Sequence, residues 1–329
     1  MIPPETDDIL DAWRLPRPRT VTPAKDGYQN ATLFVRCAAG EYVLKIYSNT
    51  GERAHRRFEH ELLGRLALAE LPFAVPRPVR GADGDTLHVV DGQLAALFLL
   101  IEGEALPKDG GAYVARAAAA LARLDVTLGE LERFDNRPPR FDGDLRRVHP
   151  LVDDLDEAAA ESGLDDARAE TLRRILQRTS ELATPLYASL PSQLIHGDFA
   201  FGNTLVKQGV IAGLVDFEHS GWDVRAMDLA AALYRFPAHD DPLGESDRFG
   251  RAYCAVLPLD LTELGALPAL LLVRSGVFVA HWVGRRRAGL ADIDDVRPRA
   301  GRALFTAEWV TDNGEELVRR ALGWIGERV

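Results

Sequence analysis

Apolar and polar residues alternate along much of the first third of the chain, and this alternation predicts β-strands. The alternating segments are residues 31–38, 41–47, 86–90 and 94–101. One amphipathic helix is predicted between them, over residues 53–68, because Phe58, Leu62 and Leu66 recur at helical spacing. This part of the chain therefore favours a small antiparallel sheet that carries a helix.

Helical spacing dominates after residue 110. The predicted helices are residues 111–124, 167–182, 225–235, 245–256, 261–287 and 313–328. Short apolar runs around residues 194–216 predict a strand, a polar loop and a hairpin with its turn at Gln208-Gly209. We expect an α+β fold with an N-terminal extension (1–20), a smaller N-lobe (21–101) and a mostly helical C-lobe (102–329).

Composition narrows the class of partners. The chain has 329 residues, 47% of them hydrophobic, which is enough for two lobes with cores, and a formal net charge of −11. Such an acidic chain lacks the basic surface that nucleic acids or anionic membranes require. The N-terminus has no signal-peptide pattern, and the apolar run 264–283 is interrupted by polar residues, which favours a buried helix. We expect a cytoplasmic protein whose Cys37 and Cys254 are free thiols.

Three polar residues around the hairpin suggest phosphoryl transfer. Asp198, Asn203 and Asp216 follow or precede apolar runs, so we expect them together at the edge of one small sheet. In phosphoryl transfer, one carboxylate orients the attacking hydroxyl group, while an amide and a second carboxylate hold magnesium. Asp198 is therefore the candidate catalytic residue, and Asn203 with Asp216 the candidate metal ligands.

A lysine in an apolar strand is the candidate phosphate-binding residue. Lys45 lies in the second predicted strand, where its ammonium group needs an anionic partner. Glu61, on the predicted helix, flanks the apolar stripe and is the expected partner. The alternative is a surface lysine beside solvated helix charges.

The ordered set of these residues resembles the aminoglycoside phosphotransferase and choline kinase superfamily. The resemblance rests on His196-Gly197-Asp198 with Asn203, on Asp216-Phe217-Glu218 and on Asp228. The segment 26–30 also resembles the Gly-x-x-Asn form of the homoserine kinase-like branch. It implies a bilobal protein-kinase-like fold. One departure is Asp125, which follows Leu124 where the family often has histidine.

The resemblance also implies roles for individual residues. Lys45 would bind the phosphates and Glu61 would orient Lys45, while Gly27 and Asn30 would belong to the loop that covers the phosphates. Leu100 and Ile101 would bind the nucleotide next to the expected interlobe hinge at residues 102–104. His196 and Asp228 would be structural, bracing the catalytic loop. The nucleotide would be ATP, with GTP as the alternative, and Mg²⁺ would accompany it.

The sequence gives less information about the phosphate acceptor than about the reaction. The candidate acceptor residues are Glu218, His219, Trp222, Asp223, His281 and Trp282. For the two tryptophans a position in the core is the alternative. The implied function is phosphorylation of a small hydroxylated molecule, which can be cationic: an amino alcohol or hydroxy amino acid, with an antibiotic or a sugar as alternatives. A Ser/Thr protein kinase and a non-catalytic nucleotide-binding module are the rival classes, and the oligomeric state stays open.

Overall fold

The structure is a computed structural model that describes residues 6–24, 30–48, 53–90, 92–135 and 137–325. The chain divides into two compact units. The first unit contains Met1–Ala105, Glu132–Pro138 and Gly202–Glu218, and the second contains Leu106–Leu131, Pro139–Phe201 and His219–Val329. The hairpin that the sequence pattern assigned to the C-lobe thus packs within the first unit.

A five-stranded antiparallel sheet forms the centre of the first unit. Its strands are β1 (Thr20–Pro23), β2 (Ala31–Cys37), β3 (Gly40–Tyr47), β4 (His88–Val90) and β5 (Gln93–Leu99), in the order β1-β2-β3-β5-β4. Leu44 and Ile46 of β3 point into a core that also contains Ile9 and Leu10 of helix α1 (Thr6–Asp11). Because side chains alternate along a strand, Lys45 points to the opposite face.

Two more elements complete the first unit. Helix α2 (Arg53–Leu66) buries Phe58, Leu62 and Leu66, as its sequence spacing predicts. A second sheet has the order β6-β8-β9 and consists of β6 (Glu104–Ala105), β8 (Thr204–Lys207) and β9 (Val210–Leu214).

The second unit is mainly helical. Its helices are α3 (Val114–Gly129), α4 (Leu155–Ala160), α5 (Asp166–Ser189), α6 (Ala226–Leu233), α7 (Pro242–Cys254), α8 (Leu261–Gly265), α9 (Leu267–Arg287) and α10 (Ile293–Ala321). It also contains a two-stranded antiparallel sheet of β7 (Ser192–Ile195) and β10 (Gly221–Val224). The expected single sheet around the catalytic stretch is therefore wrong, because β7 pairs with β10, while β8 pairs with β6 and β9 in a separate sheet.

Two helical segments also differ from the sequence-based expectation. The predicted helix 261–287 is interrupted at Ala266 and forms α8 and α9, and the helix predicted over 313–328 starts much earlier, at Ile293. Within the described residues, α9 is the one helix long and apolar enough to cross a membrane. Its residues Val279, Trp282 and Val283 instead pack in a core with α4, α5 and α10.

Candidate active site

Lys45 forms the centre of the charged cluster in the first unit. Its Nζ atom lies 2.8 Å from Oδ1 of Asp216 and 3.9 Å from Oε2 of Glu218. Burial disfavours the charged amine, but Asp216, Glu218 and Glu59 outweigh this effect and raise the pKa of Lys45. The side chain is 17% exposed, so a charged ammonium group stays accessible to an anion.

The glutamate of α2 that belongs to this cluster is Glu59, and the expected pairing of Lys45 with Glu61 is not found. Glu61 instead pairs with Arg65 at 2.6 Å and accepts a hydrogen bond from the Asp135 amide at 3.2 Å. Glu59 is 2% exposed and pairs with Arg56 at 3.1 Å. Arg56 also lies 3.6 Å from Glu218, so a network of buried ion pairs connects α2 to the lysine site.

Asp216 and Asn203 are held close to each other by the backbone at the ends of the β8–β9 hairpin. The amide of Val215 donates to the carbonyl oxygen of Asn203 at 2.9 Å. Asp216 has a φ of 71°, a left-handed conformation that is unfavourable for a residue with a Cβ atom and is often found at functional sites. A carboxylate and an amide oxygen are ligands suited to Mg²⁺, so this donor pair fits the predicted metal.

The remaining nucleotide-side residues are placed differently from one another. Glu218, expected at the acceptor, lies beside Lys45 and accepts a hydrogen bond from Nδ2 of Asn30 at 2.7 Å. Leu100 and Ile101 follow β5 directly, and the Leu100 amide donates to the Glu41 carbonyl at 3.1 Å. Gly27 lies outside the described residues.

In the second unit, Asp228 braces the catalytic loop. Its carboxylate is fully buried and accepts hydrogen bonds from the amides of His196 at 2.6 Å and Gly197 at 2.8 Å. Ser220 Oγ donates to the His196 carbonyl at 3.1 Å. The backbone of the loop that precedes Asp198 is thus held by Asp228 of α6 and by Ser220, the residue before β10.

Two arginines face Asp198, and the sequence pattern indicated neither. Nη2 of Arg274, on α9, lies 2.5 Å from Oδ1 of Asp198, and Nη1 donates to the Gly197 carbonyl at 2.7 Å. Arg235, just after α6, lies 3.9 Å from the same carboxylate oxygen. Arginine at such distances favours the ionised aspartate, the form that can accept a proton.

The candidate acceptor residues in the second unit divide into two groups. Trp222 and Trp282 are only 8% and 4% exposed, so both side chains are buried. Burial favours the alternative given above, a position in the core. His219 is exposed, with its ring centroid 6.2 Å from that of His281. Burial lowers the pKa of His281 to about 3 and raises that of Asp223 to about 7.

The first unit thus contains a paired lysine with an aspartate and an amide suited to magnesium, and the second contains an aspartate on a braced loop; these are the residue types that phosphoryl transfer uses. The family model described as "Phosphotransferase enzyme family" matches residues 20–267, and the chain belongs to this family. It is an enzyme that transfers a phosphoryl group to a hydroxyl group of a small molecule.

Individual relatives agree with this assignment. The chain is 28% identical over 250 residues to a homoserine kinase of Methylorubrum populi, covering 74% of each chain. It is 27% identical to a homoserine kinase of Phenylobacterium zucineum, covering 80% of this chain and 81% of the relative.

Solved structures share the fold. A microcompartment-associated aminopropanol kinase matches with a TM-score of 0.70 at 17% identity, covering 95% of this chain and 98% of the other. An amicoumacin kinase in complex with AMP-PNP matches with a TM-score of 0.67 at 15% identity, covering 92% of each chain. A choline kinase from Cryptosporidium parvum matches with a TM-score of 0.60 at 14% identity, covering 93% of each chain. The protein-kinase-like fold is thus confirmed.

Proposed function

We propose that the protein transfers the γ-phosphoryl group of ATP to the hydroxyl group of a small hydroxy amino acid or amino alcohol in the cytoplasm. The pairing of Lys45 with Asp216 carries this proposal, because it joins a phosphate-binding cation to a candidate magnesium ligand. The names of the relatives support the acceptor class, since the similar proteins include homoserine kinases and an aminopropanol kinase.

On the nucleotide side, Lys45 binds the phosphates through its charged ammonium group, and the buried network of Arg56, Glu59 and Glu218 keeps it in position. Asn203 and Asp216 would hold Mg²⁺, which, when bound, neutralises negative charge on the phosphates. Asn30, bonded to Glu218, continues this network toward the loop expected to cover the nucleotide.

On the acceptor side, Asp198 orients the acceptor hydroxyl group and accepts its proton. The hydroxyl oxygen forms a bond to the γ-phosphorus, the bond from that phosphorus to the β–γ bridging oxygen breaks, and ADP leaves with the electron pair. Arg274 keeps Asp198 ionised and aligned, and Asp228 holds the loop backbone through the His196 and Gly197 amides. Alignment and charge stabilisation account for most of the catalysis in such reactions.

A panel of acceptors tests the reaction. ADP release with Mg²⁺ and ATP is measured for hydroxy amino acids, amino alcohols, aminoglycosides and a peptide containing serine and threonine. We expect hydroxy amino acids and amino alcohols to raise the rate of ADP release above the rate without an acceptor, where water is the acceptor. Stimulation by the peptide alone, or by no acceptor in the panel, would contradict the proposal.

The substitution Asp198→Asn tests the catalytic residue. Because the amide cannot accept the hydroxyl proton, we expect kcat to fall roughly 100- to 10,000-fold while AMP-PNP binding, measured by calorimetry, changes little. Asp294→Asn is the matched control, since the Asp294 side chain is 77% exposed on α10. Near-normal turnover by Asp198→Asn would exclude this role for Asp198.

A further inference from the structure

Two arginines face the Asp198 carboxylate in the second unit, Arg274 and Arg235, and a third, Arg302, contacts the backbone of Arg235. Arg274 comes from α9, Arg235 follows α6, and Arg302 comes from α10. The three are close enough that Arg274 and Arg302 both disfavour the charged form of Arg235. Catalysis by Asp198 needs one cation to keep it ionised, so the others call for a separate explanation.

Both terminal nitrogens of Arg274 are engaged by the catalytic loop. It bonds to Asp198 Oδ1 at 2.5 Å and to the Gly197 carbonyl at 2.7 Å, and its guanidinium carbon lies 4.4 Å from the centroid of the Phe278 ring. These contacts fix its direction. Arg274 is therefore a positioning residue for Asp198.

Arg235 is not engaged in the same way. Its nearest carboxylate oxygen, Asp198 Oδ1, is 3.9 Å away, beyond hydrogen-bond length, and that oxygen already accepts a bond from Arg274. Within the described residues its buried Nε has no hydrogen-bond partner, as is also true of Arg274, but the Arg235 side chain is 39% exposed whereas that of Arg274 is 11% exposed. The guanidinium group is thus partly desolvated but still reachable.

The backbone of Arg235 is held in place by Arg302. Nη2 of Arg302 donates to the carbonyl oxygens of Tyr234 at 2.7 Å and Arg235 at 3.3 Å. Its guanidinium carbon also lies 5.2 Å from the centroid of the Tyr234 ring. A guanidinium group on an anchored backbone, with no hydrogen bond to its terminal nitrogens within the described residues, is suited to bidentate binding of a carboxylate.

We propose that Arg235 binds the carboxylate of an anionic acceptor, so that the substrate is a short hydroxy acid, with or without an amino group. This inference rests on the proposed function and selects hydroxy acids over amino alcohols within it. The acceptor must be short, because Arg235 and Asp198 are adjacent and one molecule has to place its carboxylate at the first and its hydroxyl group at the second.

The same arrangement disagrees with the expectation of a cationic acceptor. A cation beside Asp198 would meet the guanidinium groups of Arg235 and Arg274 within 4 Å of the aspartate. Burial raises the pKa of Asp223, the acidic candidate in this unit, to about 7, so its carboxyl group is only partly ionised near neutral pH. Charge in this part of the second unit therefore favours an anion.

The experiment uses three acceptors of matched length: homoserine, 4-hydroxybutanoate, which lacks the amino group, and 3-aminopropan-1-ol, which lacks the carboxylate. We expect kcat/KM to be roughly tenfold or more lower for 3-aminopropan-1-ol than for homoserine, as for the loss of one charge-assisted hydrogen bond. This comparison needs no variant. An amino alcohol that is used as well as homoserine overturns the inference and leaves the proposed function intact.

Variants assign the carboxylate to Arg235. We expect Arg235→Gln to raise KM for the two acids roughly 10- to 100-fold, with a smaller effect on kcat and on KM for 3-aminopropan-1-ol, and Arg235→Lys to be intermediate. Arg319→Gln is the matched control, because Arg319 is 70% exposed on α10. An equal loss with all three acceptors would show a merely structural role and overturn the inference. If no acceptor is used by the wild type, the proposed function itself fails.

Discussion

Gly197 is the residue whose backbone decides where Asp198 points. Its φ of +80° lies in the left-handed region, and a Cβ atom there would come within 2.3 Å of the His219 carbonyl oxygen. That oxygen belongs to the backbone and cannot move aside as a flexible side chain can. The glycine between His196 and Asp198 is therefore required by the conformation of the turn and by the close approach of a second chain segment.

A comparison of Gly197→Ala with Gly209→Ala separates the effect of the backbone conformation from the effect of the close contact. Gly209 has nearly the same φ, +81°, but among the described residues other than its chain neighbours no heavy atom lies within 4 Å of the position that a Cβ atom would take. We expect Gly209→Ala to lose about 1–2 kcal/mol of unfolding free energy from backbone strain alone. Gly197→Ala should lose more and should also lower kcat, because relief of the clash displaces Asp198. Urea denaturation and turnover measure both effects, and equal stability losses with unchanged kcat would contradict this account.

Single residues show where sequence reasoning succeeds and where it stops. The glutamate that α2 contributes to the charged cluster was expected two positions too late: it is Glu59, which pairs with Arg56, and not Glu61. Glu59 lies on the stripe that Leu62, Leu63 and Leu66 continue at helical spacing, so the pattern contained the signal. Arg274 gave no comparable signal, because its contact with Asp198 joins residues 76 positions apart and is created only by folding.

At the scale of elements, a buried carboxylic acid connects three helices of the second unit. Asp125 of α3 is fully buried, and Tyr253 of α7 donates a hydrogen bond to its Oδ2 at 2.6 Å. Asp228 of α6, equally buried, is the neighbouring carboxylate. Burial and then Asp228 raise the pKa of Asp125 well above its ordinary value, which favours the protonated, neutral carboxyl group beside the residue that braces the catalytic loop.

This neutral acid predicts a pH dependence of stability. In the unfolded chain Asp125 ionises near its usual pKa of about 3.9, whereas the folded chain retains the proton. The unfolding free energy should therefore fall as pH rises above this value, by at most about 1.4 kcal/mol per pH unit, until the folded-state pKa is reached. Asp125→Asn keeps the shape and cannot ionise, so it should lose this contribution and gain stability relative to the wild type as pH increases.

Urea denaturation of both proteins between pH 6 and pH 9 measures the difference. The other titratable groups facing Asp125, namely Tyr253 and Asp228, are the same in both proteins, as is Cys254 beside Tyr253. Asp125→Leu is the control that removes both hydrogen-bonding functions and should be destabilised at every pH. A constant difference between Asp125→Asn and the wild type would show that Asp125 is ionised in the folded chain.

Elements with a regular pattern were predictable, and those stabilised by distant partners were not. The strands β2 and β3 and the helix α2 follow their apolar spacing closely. The strand β10 was missed, since four residues gain strand geometry only by pairing with β7. The start of α10 was missed although Asp292 and Asp295 form a capping box there, because Pro298 and several charges obscure the apolar stripe.

At the scale of the whole molecule, the order of the motif residues along the chain supported the functional assignment more strongly than the pattern of any single segment. Lys45 and Asp216 are 171 positions apart, yet both belong to the first unit, which also contains Asn203. Asp198 belongs to the second unit although it precedes Asn203 by only a few residues. Sequence proximity therefore does not indicate which residues share a compact unit, and the predicted boundary at residue 101 could not show this division.

That division yields a prediction for nucleotide binding. A ligand that binds the folded chain stabilises it by an amount set by its concentration relative to Kd, about 2.7 kcal/mol at 100 times Kd. If Lys45 binds the phosphates, AMP-PNP with Mg²⁺ should raise the midpoint of the thermal transition that includes the first unit, and Lys45→Met should abolish most of this increase.

Lys207→Met is the matched control, because Lys207 is a half-exposed lysine of the same unit that pairs with Glu102. Calorimetry with and without nucleotide measures the shift, and an undiminished shift in Lys45→Met would remove Lys45 from the phosphate site. Since both lysines lie on strands of the first unit, a difference between the two variants reflects the position of the charge and not its loss from the protein.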